Sequence, residues 1–276
     1  MLVNLNDVLY KAQKEHYAVG LFNTTDTDML EAVISAAEEL NAPVIIGTAE
    51  ILLPYGELKL IAPALIAAAK RAKVPVVVHY DHGLTFERCM EALKLGFSSL
   101  MFDGSTKSYE DNIAETREIV KIAKEFGASV EGEIGHVGSN DNEADGSMYT
   151  TKEEAKAYIE ATGVDALAIA IGTAHGVYKQ KPKLNLERLE EIRATVETPL
   201  VIHGGSGLSD DDFRNSIAKG VAKMNIFTDI CLAGERAMKD ALDQGLGYLK
   251  ARELKVQYMK ETVMNKIKLF GSVGKA

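Results

Sequence analysis

Apolar positions along this 276-residue chain gather into eight short runs: AVGLFN (18–23), APVIIGT (42–48), VPVVVHYD (74–81), SSLMFDG (98–104), SVEGEIG (129–135), ALAIAIG (166–172), PLVIHGG (199–205) and VAKMNIF (221–227). Such runs predict strands covered on both faces. Helical patterns separate them, over roughly 26–40, 57–72, 85–95, 108–126, 151–162, 185–195, 209–219 and 230–242, with further helix at the C-terminus. Thr150 with Glu153, Thr151 with Glu154, and Ser209 with Asp212 have the spacing of capping boxes. Gly96, Gly127, Gly163 and Gly220 each sit just past a helical run, where a left-handed residue ends a helix. Strands alternating with helices mean a parallel sheet with helices outside. Eight such units predict an α/β fold, a single (β/α)8 TIM barrel over residues 1–276 with extra C-terminal helices. The competing arrangement is a doubly wound open sheet. Its dinucleotide-binding form needs G-x-G-x-x-G after the first strand, where this chain reads LFNTTDTD.

Composition narrows the function classes. Apolar residues are 46% and charged residues 26%, ordinary for a soluble globular protein. A net charge of −9 with no dense Lys/Arg block disfavours nucleic acid and anionic membrane as partners. Cys89 and Cys231 match no zinc or redox spacing and read as reduced thiols. The N-terminus, MLVNLNDVLYKAQ, is not patterned as a signal peptide, and no apolar run approaches the ~18 residues that span a bilayer. The expected location is the cytoplasm.

The stretch PVVVHYDHG (75–83) then poses a problem. Two imidazoles and a carboxylate follow a buried valine run, which costs several kcal/mol unless they are paired or metal-bound. The other strand ends are also polar: Asn23, Thr48, Asp103, Glu133, His175 after ALAIAIG, His203, Asn225 and Thr228. In a barrel these ends share the face where active sites lie. Of six histidines, His82, His175 and His203 sit at or just past strand ends, and three imidazoles with an open fourth position suit a catalytic zinc. His79 lies deeper and reads as structural, and His16 as a surface residue. Asp103 and Glu133 could orient those histidines, ligate an alternative metal position, or merely hydrogen-bond at loop starts. HGGSG (203–207) follows a strand and precedes a capped helix, as in a phosphate-binding turn, and NIFT (225–228) could add donors to the same anion.

The motifs DHG, GTAHGVYK, IHGGSGL and KMNIFTD, in this order, resemble the class II, zinc-dependent ketose-bisphosphate aldolases, a group that includes fructose- and tagatose-bisphosphate aldolases. The resemblance runs from about residue 3 to LFGSVGKA at the end. It implies one catalytic zinc per subunit on His82, His175 and His203, with Glu133 and Asp103 at a second position of a mobile metal. It implies Asp81 as the acid/base and Asp141 as a proton-handling residue on a mobile loop. Gly176, Lys179, Gly204, Gly205, Ser206, Asn225 and Thr228 would hold dihydroxyacetone phosphate, with Lys223 nearby. A monovalent cation, Na+ or K+, near the phosphate is also implied, as is a homodimer or homotetramer. The reaction implied is reversible cleavage of a ketose 1,6-bisphosphate to dihydroxyacetone phosphate and glyceraldehyde 3-phosphate. A Lewis acid would stabilise the enediolate, and a carboxylate beside it would take the C4 hydroxyl proton.

The chain departs from that pattern in three places. Gly47 and Ala49 stand where many members carry Gln-x-Ser. The mobile loop has His136, Ser139 and Asn142 where Arg, Gly and Asp are common. Leu246 stands where an Arg grips the distal phosphate from a neighbouring subunit, with Arg252 as a candidate substitute. Leucine cannot replace a charge-assisted phosphate contact. The alternatives are therefore a metal aldolase for a ketose 1-phosphate, a Schiff-base aldolase using Lys223, and a non-catalytic phosphosugar-binding protein.

Overall fold

All eight runs become parallel strands in the computed structural model, which describes residues 1–135, 149–174, 176 and 182–276. They are β2 (Val19–Asn23), β3 (Val44–Ala49), β4 (Val76–Gly83), β5 (Ser99–Phe102), β6 (Ser129–Ile134), β7 (Ala166–Ile169), β8 (Leu200–Ile202) and β9 (Val221–Ile226). Each pairs with the next in sequence, and β9 pairs back onto β2 with Asn225 opposite Leu21, closing the ring. The two-residue β1 (Leu2–Val3) was not foreseen. It joins the start of β4, Leu2 opposite Val76, below the level of His79 where β5 begins to pair.

The helices are α1 (Leu5–Lys14), α2 (Thr27–Glu39), α3 (Leu58–Arg71), α4 (Phe86–Leu95), α5 (Tyr109–Glu125), α6 (Lys152–Thr162), α7 (Leu186–Thr195), α8 (Asp210–Ala218), α9 (Thr228–Asp243) and α10 (Tyr248–Leu269). Thr151–Glu154 and Ser209–Asp212 form the expected capping boxes on α6 and α8. The Thr150–Glu153 pair does not form. Thr150 Oγ1 instead donates to the Ile134 carbonyl (2.7 Å) and accepts the Ala170 N–H (3.0 Å), tying β6 to the end of β7. Gly96 and Gly163 end α4 and α6 in the left-handed region. No described helix is long and apolar enough to cross a membrane.

Side chains alternate along each strand, and the alternation divides two cores. Outward residues such as Val44, Ile46, Val76, Val78, Leu100 and Phe102 pack under the helices. Inward residues Val19, Leu21, Ile45, Val77, Ala166, Ala168 and Val201 fill the lower barrel, and α1 closes its floor with Leu5, Val8, Leu9 and Ala12. Each large aliphatic there contributes roughly 1.5–3 kcal/mol by burial. The long α10 packs against α9 and α2. Its Lys255 pairs with Asp26 (2.9 Å) and Asp28 (3.2 Å), and Lys260 with Glu39 (2.6 Å).

Candidate active site

β4 carries the chemistry in one face of one strand. Val77, His79 and Asp81 are successive inward positions, so the strand climbs from the apolar plug to a carboxylate at the barrel mouth. The next residue should point outward. It does not, because His82 has φ +44° and the pairing of β4 with β5 shifts register between Tyr80 and Gly83. A left-handed residue at a bulge re-aims its side chain, and such strain is held where surrounding structure over-determines it. Asp81 and His82 therefore both reach the site. Gly47 on β3 is a close-approach position: a Cβ there would lie 2.0 Å from the His79 carbonyl oxygen.

Asp81 is buried, and both of its oxygens accept amide N–H groups. Asn23 Nδ2 lies 2.7 Å from Oδ2, and Asn225 Nδ2 lies 3.0 and 3.2 Å from Oδ1 and Oδ2. Burial would raise its pKa, but the charges of His82 and Lys223 hold the carboxyl well below the usual carboxylate range. His82 gives Nδ1 to Asp103 Oδ2 (2.9 Å), and Asp103 Oδ1 accepts the backbone N–H (3.1 Å) and hydroxyl (2.6 Å) of Ser105. That hydrogen bond fixes the ring so that Nε2 is the atom His82 offers to a metal.

His203, at the end of β8, is wholly buried and meets the His82 ring at 4.5 Å between centroids. Its Nε2 hydrogen-bonds Glu131 Oε1 (2.8 Å), and its Nδ1 lies 3.2 Å from Glu133 Oε2. Burial would lower this imidazole, but the hydrogen bonds to Glu131 and Glu133 outweigh it and hold it up at about 10. Beneath lies a charged layer. Lys223 Nζ pairs with Glu131 Oε2 at 2.8 Å, with both side chains fully buried. His79 gives Nδ1 to Ser99 Oγ (2.8 Å), and burial and the Lys223 charge push it down to about 3, so it stays neutral.

Two groups of potential ligand atoms, Asp81–His82–His203 and His82–Asp103–Glu133, each lie within 4.8 Å of one another. Buried and half-buried imidazoles and carboxylates crowded this way fit zinc, which takes both donor types. The structure thus brings His82, His203, Asp103 and Glu133 together beside Asp81. The expected His175, Lys179 and Asp141 lie outside the described residues.

The phosphate-type turn stands on the same face. Gly204 has φ +66°, and a Cβ there would lie 2.3 Å from the Ala174 carbonyl oxygen, so only glycine fits without displacement. Gly205 gives its N–H to the Asn225 carbonyl (3.2 Å). Ser206 Oγ accepts the N–H groups of Phe227 (3.2 Å) and Asp229 (3.4 Å), joining the turn to the start of α9 at Thr228. The side-chain amide of Asn225 faces Asp81. A cleft of about 530 Å³ links these parts. Gly176, Gly204, Ser206 and Thr228 line one side, Asp81 and His82 the middle, and Ala49, Ile51, Leu52 and Leu84 another wall.

One expectation is corrected. Lys223 is not beside the anion turn and presents no accessible amine: it lies in the barrel interior, clamped by Glu131, so the Schiff-base alternative loses its nucleophile. Within this chain Arg252 is ion-paired: Nε lies 2.9 Å from Asp28 Oδ1 and its guanidinium also bonds Glu31. Sequence reading missed Glu131. The signal was present in SVEGEIG, where Glu131 shares the inward phase of Glu133.

The family model for class-II fructose-bisphosphate aldolases matches residues 3–275. The chain is 37% identical over 283 residues to a fructose-bisphosphate aldolase of Staphylococcus aureus (strain Mu50 / ATCC 700699), covering 100% of this chain and 99% of the relative. It is 41% identical over 278 residues to the YdjI protein of Escherichia coli (strain K12), covering 99% of each. The crystal structure of the YdjI aldolase superposes with a TM-score of 0.92 and 38% identity, over 100% of both chains.

Proposed function

This chain belongs to the class-II fructose-bisphosphate aldolase family, and we propose that it is a zinc-dependent aldolase releasing dihydroxyacetone phosphate and an aldehyde from a ketose phosphate. The observation that carries this reading is the buried Asp81 carboxylate, held by Asn23 and Asn225 beside His82 and His203. A divalent cation held by His82 and His203, with His175 as the expected third ligand and Glu133 and Asp103 alongside, would supply Lewis-acid stabilisation of the charge that develops on the substrate carbonyl oxygen. Asp81 Oδ1 or Oδ2 takes the proton of the C4 hydroxyl as the C3–C4 bond breaks, and returns it in the condensation direction. Its ionised state, kept by the charges of His82 and Lys223, suits it to accept that proton. Asn23 and Asn225 fix the direction of its lone pairs. Gly204, Ser206 and the start of α9 hold the phosphate of the three-carbon unit, so that bond cleavage occurs in one register. Asp103 and Glu131 orient the two imidazoles through their far nitrogens. This chemistry is common to a ketose 1,6-bisphosphate and a ketose 1-phosphate.

The test is a coupled assay for dihydroxyacetone phosphate release, with and without a chelator, together with zinc analysis of His203→Ala. Metal and cleavage should be lost together in that variant. Zinc retained at full stoichiometry would remove His203 from the metal site.

A further inference from the structure

The backbone of His82 is exceptional in this fold. Among the described residues, the non-glycine residues with positive φ are His16, Asn41 and His82; the first two follow the ends of α1 and α2, whereas His82 lies inside a strand. A left-handed residue there persists only where its surroundings over-determine it. β5 holds the bulge from one side. Asp103 N–H donates to the Gly83 carbonyl (2.9 Å), and Asp103 Oδ2 meets His82 Nδ1 (2.9 Å). Gly83 is packed so closely that a Cβ there would lie 2.7 Å from Cys89 Sγ and 2.9 Å from the Met101 carbonyl oxygen. β3 holds the bulge from the other side. Ala49 is opposite Asp81, so the next residue, Glu50, stands level with the bulge at the start of a short 3-10 turn, Glu50–Tyr55. Ala49 lines the cleft, and Glu50 turns the other way, to Tyr80 of the outer core. Glu50 Oε2 accepts the Leu84 N–H (2.8 Å) and the Tyr80 hydroxyl (3.3 Å).

We propose that Glu50 is a positioning residue for His82: its carboxylate clamps the chain on both sides of the bulge, at Tyr80 and at Leu84, and so keeps the imidazole turned into the metal site. The proposal rests on the reading of His82 as a metal ligand. Glu50 is neither among the residues lining the cleft nor in either group of candidate ligand atoms, so it reaches the site only through the backbone it holds. The two carboxylates beside His82 have different tasks. Asp103 fixes the rotation of the ring through Nδ1, and Glu50 fixes the backbone that carries the ring. A hydrogen bond from a backbone N–H to a carboxylate is charge-assisted and stronger than one to a neutral acceptor. Without it the segment from Tyr80 to Leu84 loses its restraint on the β3 side. Relaxation to regular extended backbone would then turn the imidazole to the outer face, where alternation alone would place it.

The test titrates the zinc-loaded full chain with a chelator to measure zinc affinity, and exchanges the zinc for cobalt(II), whose visible spectrum reports the ligand set. Glu50→Ala and Glu50→Leu both remove the acceptor, and the second keeps the bulk of the side chain. Each is expected to weaken zinc binding by about 10–100-fold, to change the cobalt spectrum, and to speed amide exchange at Leu84. Glu50→Gln keeps an acceptor oxygen and should restore most of the affinity together with the wild-type spectrum. A Glu50 that merely supports the fold would lower the urea midpoint and leave the zinc affinity and cobalt spectrum of the folded variants at wild-type values, and that result would overturn the proposal. So would a loss of zinc affinity in Glu50→Gln equal to that in Glu50→Ala. Failure of the wild-type chain to take up either metal would instead overturn the metal-site reading, and this proposal with it.

Discussion

In the lower half of the barrel the inward positions are Leu21, Ile45, Val77 and Val201; two residues further along the same strands they are Asn23, Gly47, His79 and His203. One backbone geometry carries both sets. The lower half is an apolar plug sealed by α1. The upper half buries Asp81, Glu131, Glu133, Lys223 and the imidazoles of His79 and His203, with His82 half-buried beside them; His79 is the one of these three outside the candidate ligand groups. Buried charges that are removed from water weaken a fold unless each has a partner, and replacing such pairs by apolar groups often stabilises. The plug therefore supplies stability, and the layer above it gives some up to hold a reactive arrangement.

Asp81→Ala should break that contrast most strongly on the functional side. As the proton acceptor at C4 its loss should lower kcat by about 10²–10⁴. Zinc content of the purified variant should stay at the wild-type level. A parallel loss of zinc would make Asp81 a ligand, in line with its place among the candidate donor atoms, and would transfer the proton-accepting role elsewhere.

The buried Glu131–Lys223 pair sharpens the contrast on the stability side. Lys223→Met leaves Glu131 without its cation, and Glu131→Gln leaves a buried ammonium; each should destabilise by about 3–5 kcal/mol in urea unfolding. The double variant should be less destabilised than either single change, because neither charge is then orphaned. Additive losses would mean that the pair is not coupled. Glu131→Gln should also weaken zinc binding, since Glu131 orients His203 through Nε2.

Leu21→Ala belongs to the plug. It should lower stability by about 2–5 kcal/mol through lost burial and a cavity, while kcat per folded, zinc-loaded molecule stays unchanged. A kcat that fell with stability would show that the plug also positions the layer above it.

How much of this was legible follows from the same contrast. Strand ends were readable because apolar runs that stop at Asn23, Asp81, Asp103 or His203 mark a change from plug to mouth in the sequence itself. The pairings between those residues were not. Glu131 and Lys223 lie 92 positions apart by numbering and meet only because β6 and β9 share the barrel interior. Lys223 looked available as an amine, and closure of the ring is what pairs it with a carboxylate. The ion pairs of Arg252 with Asp28 and Glu31 likewise form only because α10 packs on α2. The inward turn of His82 was hidden for another reason: alternation assigns it to the outer face, and a φ of +44° at a non-glycine residue has no signal in the residue type.

The smallest expected effect concerns what holds the anion turn in place. Ser209 caps α8 just after that turn: its Oγ accepts the Asp212 N–H at 3.2 Å, while Asp212 reaches back to the Ser209 N–H at 3.1 Å. Ser209→Ala should lower stability by about 1 kcal/mol. If the turn is held from the barrel side, by the Gly205 N–H on Asn225 and by Ser206 on the start of α9, the KM for dihydroxyacetone phosphate in condensation should not move. A raised KM with unchanged kcat would mean that the outer helix, and not the strand ends, sets the turn, and the upper layer would then owe part of its order to the shell around the barrel.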